Sequence, residues 1–574
     1  MVAPLRLKSE KVGKTKISLE RPFLRVLVDT GVFHLDQEYD YLLPQKYDLA
    51  PGQWASVPFR NRNCAALIVS RSDHPSETIA TSKILPINRP IRAPFVDTEC
   101  LNFYREVAQR WGSPIFDVLR FIGRRQSNIA NNPIKGQGKR VYQQLSPYQD
   151  EISQVRDIAS RISKTGRTLL LVPERRTLEL LASGNYEIGM RGMVLSPELY
   201  TNLIILREES EHHYELKSPG FNTRDVALLR NEILSENLLF LSYSPSIELA
   251  RLIESGYVSF STKREKIDLS KNIAASPSQQ GEILPSALVK TFREKLKKGP
   301  ILVIVPSKGY GLALSCANCR NVATCECGGK LSKKSRNANP ACVICSKEVL
   351  DWRCRFCNRS QIYLLGRGIE RIAEEFGRTF RNTTIHISSA DKSIAGEFEK
   401  GEIILATVGA APQSKFSLTV FLEGMNLGAD LRSEERYLST LFRYSAFSSG
   451  NALIVTRSEH PAVNALVRWE PLPYLFRVLE GLKDAQLPPH SRNILLKCNP
   501  DESASVFSGL QSSIREGRIP SDTRIYNLNT GVISIISPIK NSKKVLSFIY
   551  EYQKRRSISG KELLKLRVDP YLLG

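Results

Sequence analysis

Eight of the 11 cysteines of this chain stand between positions 316 and 357, and no other stretch leaves the backbone so little choice. They come as four close pairs: Cys316-Ala-Asn-Cys319, Cys325-Glu-Cys327, Cys342-Val-Ile-Cys345 and Cys354-Arg-Phe-Cys357. Two residues between thiols let both sulfurs turn toward one metal, and four such pairs supply the ligands of two tetrahedral Zn²⁺ ions. Cys325 and Cys327 have only Glu326 between them, which is where the pattern departs from the rule. A disulfide framework needs an oxidising compartment, and the first residues show neither the apolar h-region nor the small-residue cleavage site of a secretory signal. Iron–sulfur clusters also take four thiolates, but their common runs are spaced differently. Eight thiolates close both tetrahedra and leave no position for water, so the expected zinc is structural, a clamp or a contact surface.

A chain of 574 residues exceeds one hydrophobic core and should divide into several domains. No apolar run reaches the length of a membrane span, and with reduced thiols the expectation is a cytoplasmic, nucleoid-associated protein without a membrane partner. The balance of 81 Lys and Arg against 58 Asp and Glu leaves +23, an excess that favours a polyanion, because each phosphate neutralised releases condensed counterions.

Residues 1–22, with Arg6, Lys8, Lys11, Lys14, Lys16 and Arg21, suggest a flexible basic arm. From 23 to 95 short alternating runs separated by turns predict a small β domain. Within it, Tyr39-Asp40-Tyr41 puts a carboxylate between two aromatic rings, which suits either two core tyrosines with a turn acid or a binding pocket. Residues 96–143 hold two helical patterns on either side of Gly112-Ser113-Pro114, compatible with a winged helix or with a plain helical linker, and 126–140 reads as linker. Continuous apolar strands interleaved with helices predict two parallel-sheet α/β lobes, 144–270 and 271–480, the second interrupted by the cysteine insertion 316–358. Residues 481–574 read as a small α+β domain.

This order of parts resembles the primosomal protein N′ (PriA) family of bacterial replication-restart initiators. The resemblance covers nearly the whole chain after residue 22. It rests on Tyr39-Asp40-Tyr41-Leu42-Leu43-Pro44 with Pro51-Gly52 and Val57-Pro58-Phe59, and on Leu171-Val172-Pro173-Glu174. Further on it rests on Phe221-Asn222-Thr223-Arg224-Asp225-Val226-Ala227, Gly309-Tyr310 before the cysteines, Arg432-Ser433-Glu434-Glu435-Arg436 and Val568-Asp569-Pro570. It implies a 3′-end-binding β domain, a winged helix, two helicase lobes carrying two zinc ions, and a C-terminal DNA-binding domain. The family's 3′-end pocket carries over to Tyr39, Asp40 and Tyr41, and its lysine to Lys83. A carboxylate there accepts a hydrogen bond from a free 3′-hydroxyl and repels a 3′-phosphate, while a ring stacks the terminal base. A glycine usual after Pro58-Phe59 is Arg60 here. The implied zinc pairing is interleaved: Cys316, Cys319, Cys354 and Cys357 on one ion, Cys325, Cys327, Cys342 and Cys345 on the other.

The motor signatures of such a helicase are missing. No Gly-x4-Gly-Lys-Ser/Thr phosphate loop occurs, and a helix over 150–164 is expected to run straight to the strand ending Leu171-Val172-Pro173-Glu174. Where the family has Asp-Glu-Glu-His, this chain has Arg207-Glu208-Glu209-Ser210, a cation in place of the Mg²⁺ ligand. The Gly-Arg-Ala-Gly-Arg segment reads Phe442-Arg443-Tyr444-Ser445-Ala446-Phe447. The chain is thus similar to the degenerate actinobacterial PriA, with degenerate lobes, no catalytic residue assigned and ATP a doubtful cofactor. Glu211-His212-His213, the one local histidine cluster, reads as a solvated loop because adjacent side chains diverge. The expected function is recognition of stalled forks and single-stranded DNA, with primosome proteins and the replicative helicase as protein partners. An active ATP-dependent 3′-to-5′ helicase with an atypical nucleotide site is the alternative.

Overall fold

The computed structural model describes residues 16–76, 83–122, 135–261, 272–275, 284–305, 313–319, 321–326, 329–333, 339–342, 347–365, 369–422, 431–455, 460–529 and 531–571. Gly309-Tyr310, Cys327 and Cys345 lie outside them. The molecule is multidomain α/β, with an antiparallel β domain at its N-terminal end and two separate all-parallel sheets.

The N-terminal sheet orders its strands Glu38–Leu42, Phe23–Val28, Arg62–Ser72, Trp54–Phe59 and Arg89–Ile91. Alternation decides its two faces. Leu24, Val26, Val28, Val57, Ala66 and Ile68 fill the domain's own core, whereas Leu27, Trp54 and Leu67 join a second core beneath the Thr98–Trp111 helix. Gly52 is required at its turn: its φ is +90°, and a Cβ would come 2.5 Å from the Val96 carbonyl oxygen. Residues 16–22 are fastened to this sheet rather than belonging to a flexible arm, since Ser18 N–H donates to the Leu43 carbonyl (2.9 Å) and Arg71 donates to the carbonyls of Glu20 and Arg21.

Asp97 caps the Thr98–Trp111 helix by accepting from the Cys100 N–H, and Gly112 at φ +63° ends it. Its buried face, Leu101, Tyr104, Val107, Ala108 and Trp111, recurs at helical spacing and shares one core with the first parallel sheet and the C-terminal domain.

The first parallel sheet runs Ser259–Ser261, Arg140–Gln144, Asn237–Ser242, Asn202–Leu206, Thr168–Leu171, Glu187–Gly189. Sequence alone puts Arg140–Gln144 at the end of the helical unit; it is a strand because its backbone pairs in parallel with both Asn237–Ser242 and Ser259–Ser261. The expected helix over 150–164 spans Glu151–Ile162, with Asp150 as its cap. The second sheet runs Asn272–Ala275, Ala452–Val455, Leu418–Phe421, Ile301–Val305, Glu402–Thr407, Thr384–Ser388. Between Ile301–Val305 and the helix Ile369–Thr379 the chain makes the small cysteine subdomain, from the pairs Ala313–Cys316 with Ile362–Leu365 and Leu331–Ser332 with Ala341–Cys342. The inward faces of both sheets share one continuous core, in which Ile152, Leu170 and Leu206 meet Ile404, Leu441, Phe442 and Trp469. The C-terminal domain is a four-stranded antiparallel sheet, Arg524–Asn529, Val532–Pro538, Ser491–Lys497, Lys565–Val568, with helices Ser503–Arg515 and Ile539–Ile558.

Candidate functional site

On the strand Glu38–Leu42 the pleat sends Tyr39 and Tyr41 to one face and Asp40 to the other. Tyr41 is buried in the core of the domain and its hydroxyl donates to the Pro58 carbonyl at 2.8 Å; burial pushes its phenol up to about 12. Tyr39 is half-buried, edge-on to Phe59 (ring centroids 5.2 Å apart), and donates to the Leu35 carbonyl. Asp40 sits beside its cross-strand neighbour Arg25 (3.5 Å) and accepts from both the backbone N–H (3.0 Å) and the hydroxyl (2.6 Å) of Ser76. The three residues are therefore adjacent in sequence without converging on one point. Lys83 is exposed. Arg60 and Asn61 form the two-residue connection to the next strand with φ of +44° and +62°. Positive φ at both central positions defines the hairpin turn that glycine would adopt without strain, so Arg60 keeps the turn and adds a guanidinium near Tyr39.

The sulfurs of Cys316, Cys319, Cys354 and Cys357 all lie within 4.8 Å of one another, with Cys316–Cys357 and Cys319–Cys354 at 3.4 Å. Four sulfurs at tetrahedral Zn–S distances stand about 3.8 Å apart, so this set could hold a zinc ion. The Asn321 N–H brings the Cys319 thiol down to about 6, whereas burial pushes the Cys354 thiol up to about 11. Cys325 and Cys342 are buried close by with Leu331 and Trp352; their expected companions Cys327 and Cys345 lie outside the described residues.

The ends of the first sheet's strands that face the second sheet carry paired charges. Residues 145–150 connect the strand Arg140–Gln144 to the helix Glu151–Ile162, the place where a strand–loop–helix phosphate cradle would form. Here the helix start is capped by Asp150, the Gln154 side chain donates to the Ser146 and Gln149 carbonyls, and Glu151 in the first turn is 3% exposed. Arg207, 1% exposed and at φ +52°, lies 3.5 Å from Glu151 and 3.3 Å from Glu174, and donates to the Thr177 hydroxyl. Burial alone would raise Glu174, but Arg207 and Arg443 outweigh it and hold the carboxyl at about 2. Glu208 accepts from the Ser246 N–H (2.7 Å) and hydroxyl and from Arg224. From the second lobe, Arg443 approaches Glu174 (3.9 Å), Arg432 pairs with Glu248, and Glu435 accepts the Ile247 N–H at 3.0 Å.

His213 is not solvated as its sequence neighbourhood suggests. Fully buried, it places Nε2 2.9 Å from the Leu206 carbonyl oxygen, and burial lowers its pKa to about 4. Its ring is a neutral structural group.

Residues 25–122 match the family description "3'DNA-binding domain (3'BD)" of PriA, a span that takes in both the β sheet and the Thr98–Trp111 helix. Along most of its length the chain is similar to proteins named probable replication restart protein PriA: 25% identical to that of Mycobacterium bovis (80% of this chain, 84% of the relative) and 24% identical to that of Mycobacterium leprae (80% and 85%). It is also 23% identical to the replication restart protein PriA of Chlamydia pneumoniae over 54% of this chain and 46% of the relative. No helix among the described residues is long and apolar enough to cross a membrane. A match to the PriA 3′DNA-binding domain over residues 25–122 is thus joined to a likeness to PriA proteins that extends over 80% of the chain.

Proposed function

We propose that this protein is a replication-restart initiator that binds stalled or abandoned forks at the nascent 3′ end. It promotes primosome assembly and reloading of the replicative helicase without unwinding DNA itself. The restart role is supported by the likeness to PriA proteins, and the DNA-binding role by the 3′DNA-binding domain. One observation carries the non-motor reading: Arg207 lies buried between Glu151 and Glu174 where a Mg²⁺–phosphate complex would need an anionic ligand and open space. A guanidinium repels the cation, and the Asp150 cap occupies the Ser153 N–H at the helix start and adds a negative charge where phosphate would sit. The test is a DNA-stimulated ATPase assay, expected to read zero; turnover that disappears in Glu208→Gln would overturn the reading.

At the 3′ end, Asp40 is the acceptor for a free 3′-hydroxyl, exchanging its Ser76 partner for the nucleic acid, with Lys83 as the phosphate cation. Tyr39 and Tyr41 act from the other face, by fixing the strand. Fork DNA ending in 3′-hydroxyl should bind more tightly than the same fork ending in 3′-phosphate, and Asp40→Ala should narrow the gap; equal affinities in all arms would defeat the pocket. The knuckle holds two zinc ions in this reading, one on the Cys316 set and one on Cys325, Cys327, Cys342 and Cys345. Metal analysis of the purified chain should return two zincs, and a single zinc would remove the second site.

A further inference from the structure

At the amino ends of the strands Ile301–Val305, Thr384–Ser388 and Glu402–Thr407 lies a groove of about 840 Å³. Phe380 is the aromatic residue in its floor; beneath it, in the core, Phe292 stacks on Phe380 with centroids 4.5 Å apart and Phe376 leans on both. Gly401 N–H donates to the Leu296 carbonyl at 3.0 Å, tying the turn before Glu402–Thr407 to the end of the Ser286–Leu296 helix and closing one side. Around this floor stand Arg293, Lys297, Arg378, Arg381 and Lys400, all exposed, and no acidic residue lines the groove. None of these five side chains has an ion-pair or hydrogen-bond partner among the described residues.

Helix ends account for part of this. Arg293, Lys297 and Arg378 lie at or near the C-terminal ends of the Ser286–Leu296 and Ile369–Thr379 helices, where cations are favoured by the helix dipole. Arg381 and Lys400 belong to neither helix and have no such reason to converge on the same hollow. Five unneutralised cations gathered without a counter-charge form a site for a polyanion. The aromatic floor sharpens the choice among polyanions. Phe380 is only 4% exposed, so no ring offers the stacking platform by which single strands are held.

We propose that this groove grips the sugar–phosphate backbone of a duplex fork arm, without reading sequence, as a second DNA-binding surface remote from the 3′DNA-binding domain. The assignment rests on the fork-binding function proposed above. Binding of the full chain to a fork with long duplex arms, and to a short single strand with a free 3′ end, is measured across a salt series for wild type and for Arg378→Glu/Arg381→Glu/Lys400→Glu. Each duplex phosphate that the protein no longer neutralises lowers the slope of log affinity against log salt by about 0.9, so the triple variant should lose roughly 2–3 of slope on the fork. Its binding to the short single strand should be unchanged, which also shows that it is folded. Arg381→Gln/Lys400→Gln, which neutralises without reversing charge, should lose a proportionate part. A wild-type chain that binds neither DNA would defeat both the function and the groove. Fork binding with the same slope in all variants would defeat the groove alone, as would variants that lose retention on heparin but keep the fork slope.

Discussion

Two arginine-rich regions of this molecule, the interlobe cleft and the groove at the amino ends of the second sheet's strands, treat their charges differently. In the interlobe cleft Arg207, Arg224, Arg432 and Arg443 are each within 4 Å of a carboxylate on a neighbouring element. In the outer groove Arg293, Arg378 and Arg381 face only other cations and an aromatic floor. Open α/β sheets take their ligands outside the carboxyl ends of the strands, which in the first sheet is the cleft side. The side where a nucleotide belongs has therefore been neutralised from within, while the side where none belongs has been left charged. A charge that is buried must find its partner inside the fold, whereas an exposed cluster can leave its partner to come from outside.

The largest effect should come from breaking the cleft. Arg207→Ala removes the cation from between Glu151 and Glu174, leaving the buried Glu151 unpaired and Glu174 with Arg443 alone, a change that costs about 3–5 kcal/mol. Chemical denaturation should show it as a fall in midpoint with unchanged slope. Replacing all three partners, as in Arg207→Met/Glu151→Gln/Glu174→Gln, should recover most of that loss, because none of the three charges is left isolated. Full stability in Arg207→Ala would mean that the cleft is open to water and its charges are free for a ligand.

A second, smaller effect separates the regions by pH. Glu174 has its folded pKa lowered from an ordinary 4.5 to about 2, so its contribution is present above 4.5 and is lost as pH falls toward 2. Wild type should lose stability across that window more steeply than Glu174→Gln, as read from thermal melts at stepped pH. Parallel curves would show that Arg207 and Arg443 do not act on Glu174 in solution.

Sequence made some of this contrast visible and hid the rest for identifiable reasons. The strands Ile301–Val305 and Ala452–Val455 were legible to the residue because buried parallel strands are continuous apolar runs. Cys316, Cys319, Cys354 and Cys357 were legible because metal-ligand spacing is local within each pair. Arg207 was legible as a misplaced cation, but its two carboxylate partners come from separate helix starts, which only the fold brings together. Tyr39-Asp40-Tyr41 misled in one respect: adjacency in a strand means opposite faces, so the carboxylate and the rings diverge. The groove was invisible because Arg293, Arg381 and Lys400 come from three separate segments, which only the fold brings together.

The smallest expected effect is also the sharpest discriminator. Arg381 is exposed on the turn after Ile369–Thr379 and faces cations, so deleting its charge removes repulsion and no attraction. Arg381→Ala should leave the melting temperature unchanged or slightly raised at low salt. The difference should shrink as salt is added, because screening already suppresses interactions between exposed charges. A cation that stabilises the fold behaves in the opposite way: its removal lowers the melting temperature, as Arg207→Ala should. If Arg381→Ala lowered the melting temperature at every salt concentration, the groove would be another internally satisfied cluster and the contrast between cleft and groove would collapse. If it is neutral or stabilising while the fork's salt slope falls, the charge is held for something outside the chain, at a small cost in stability that the bound DNA removes.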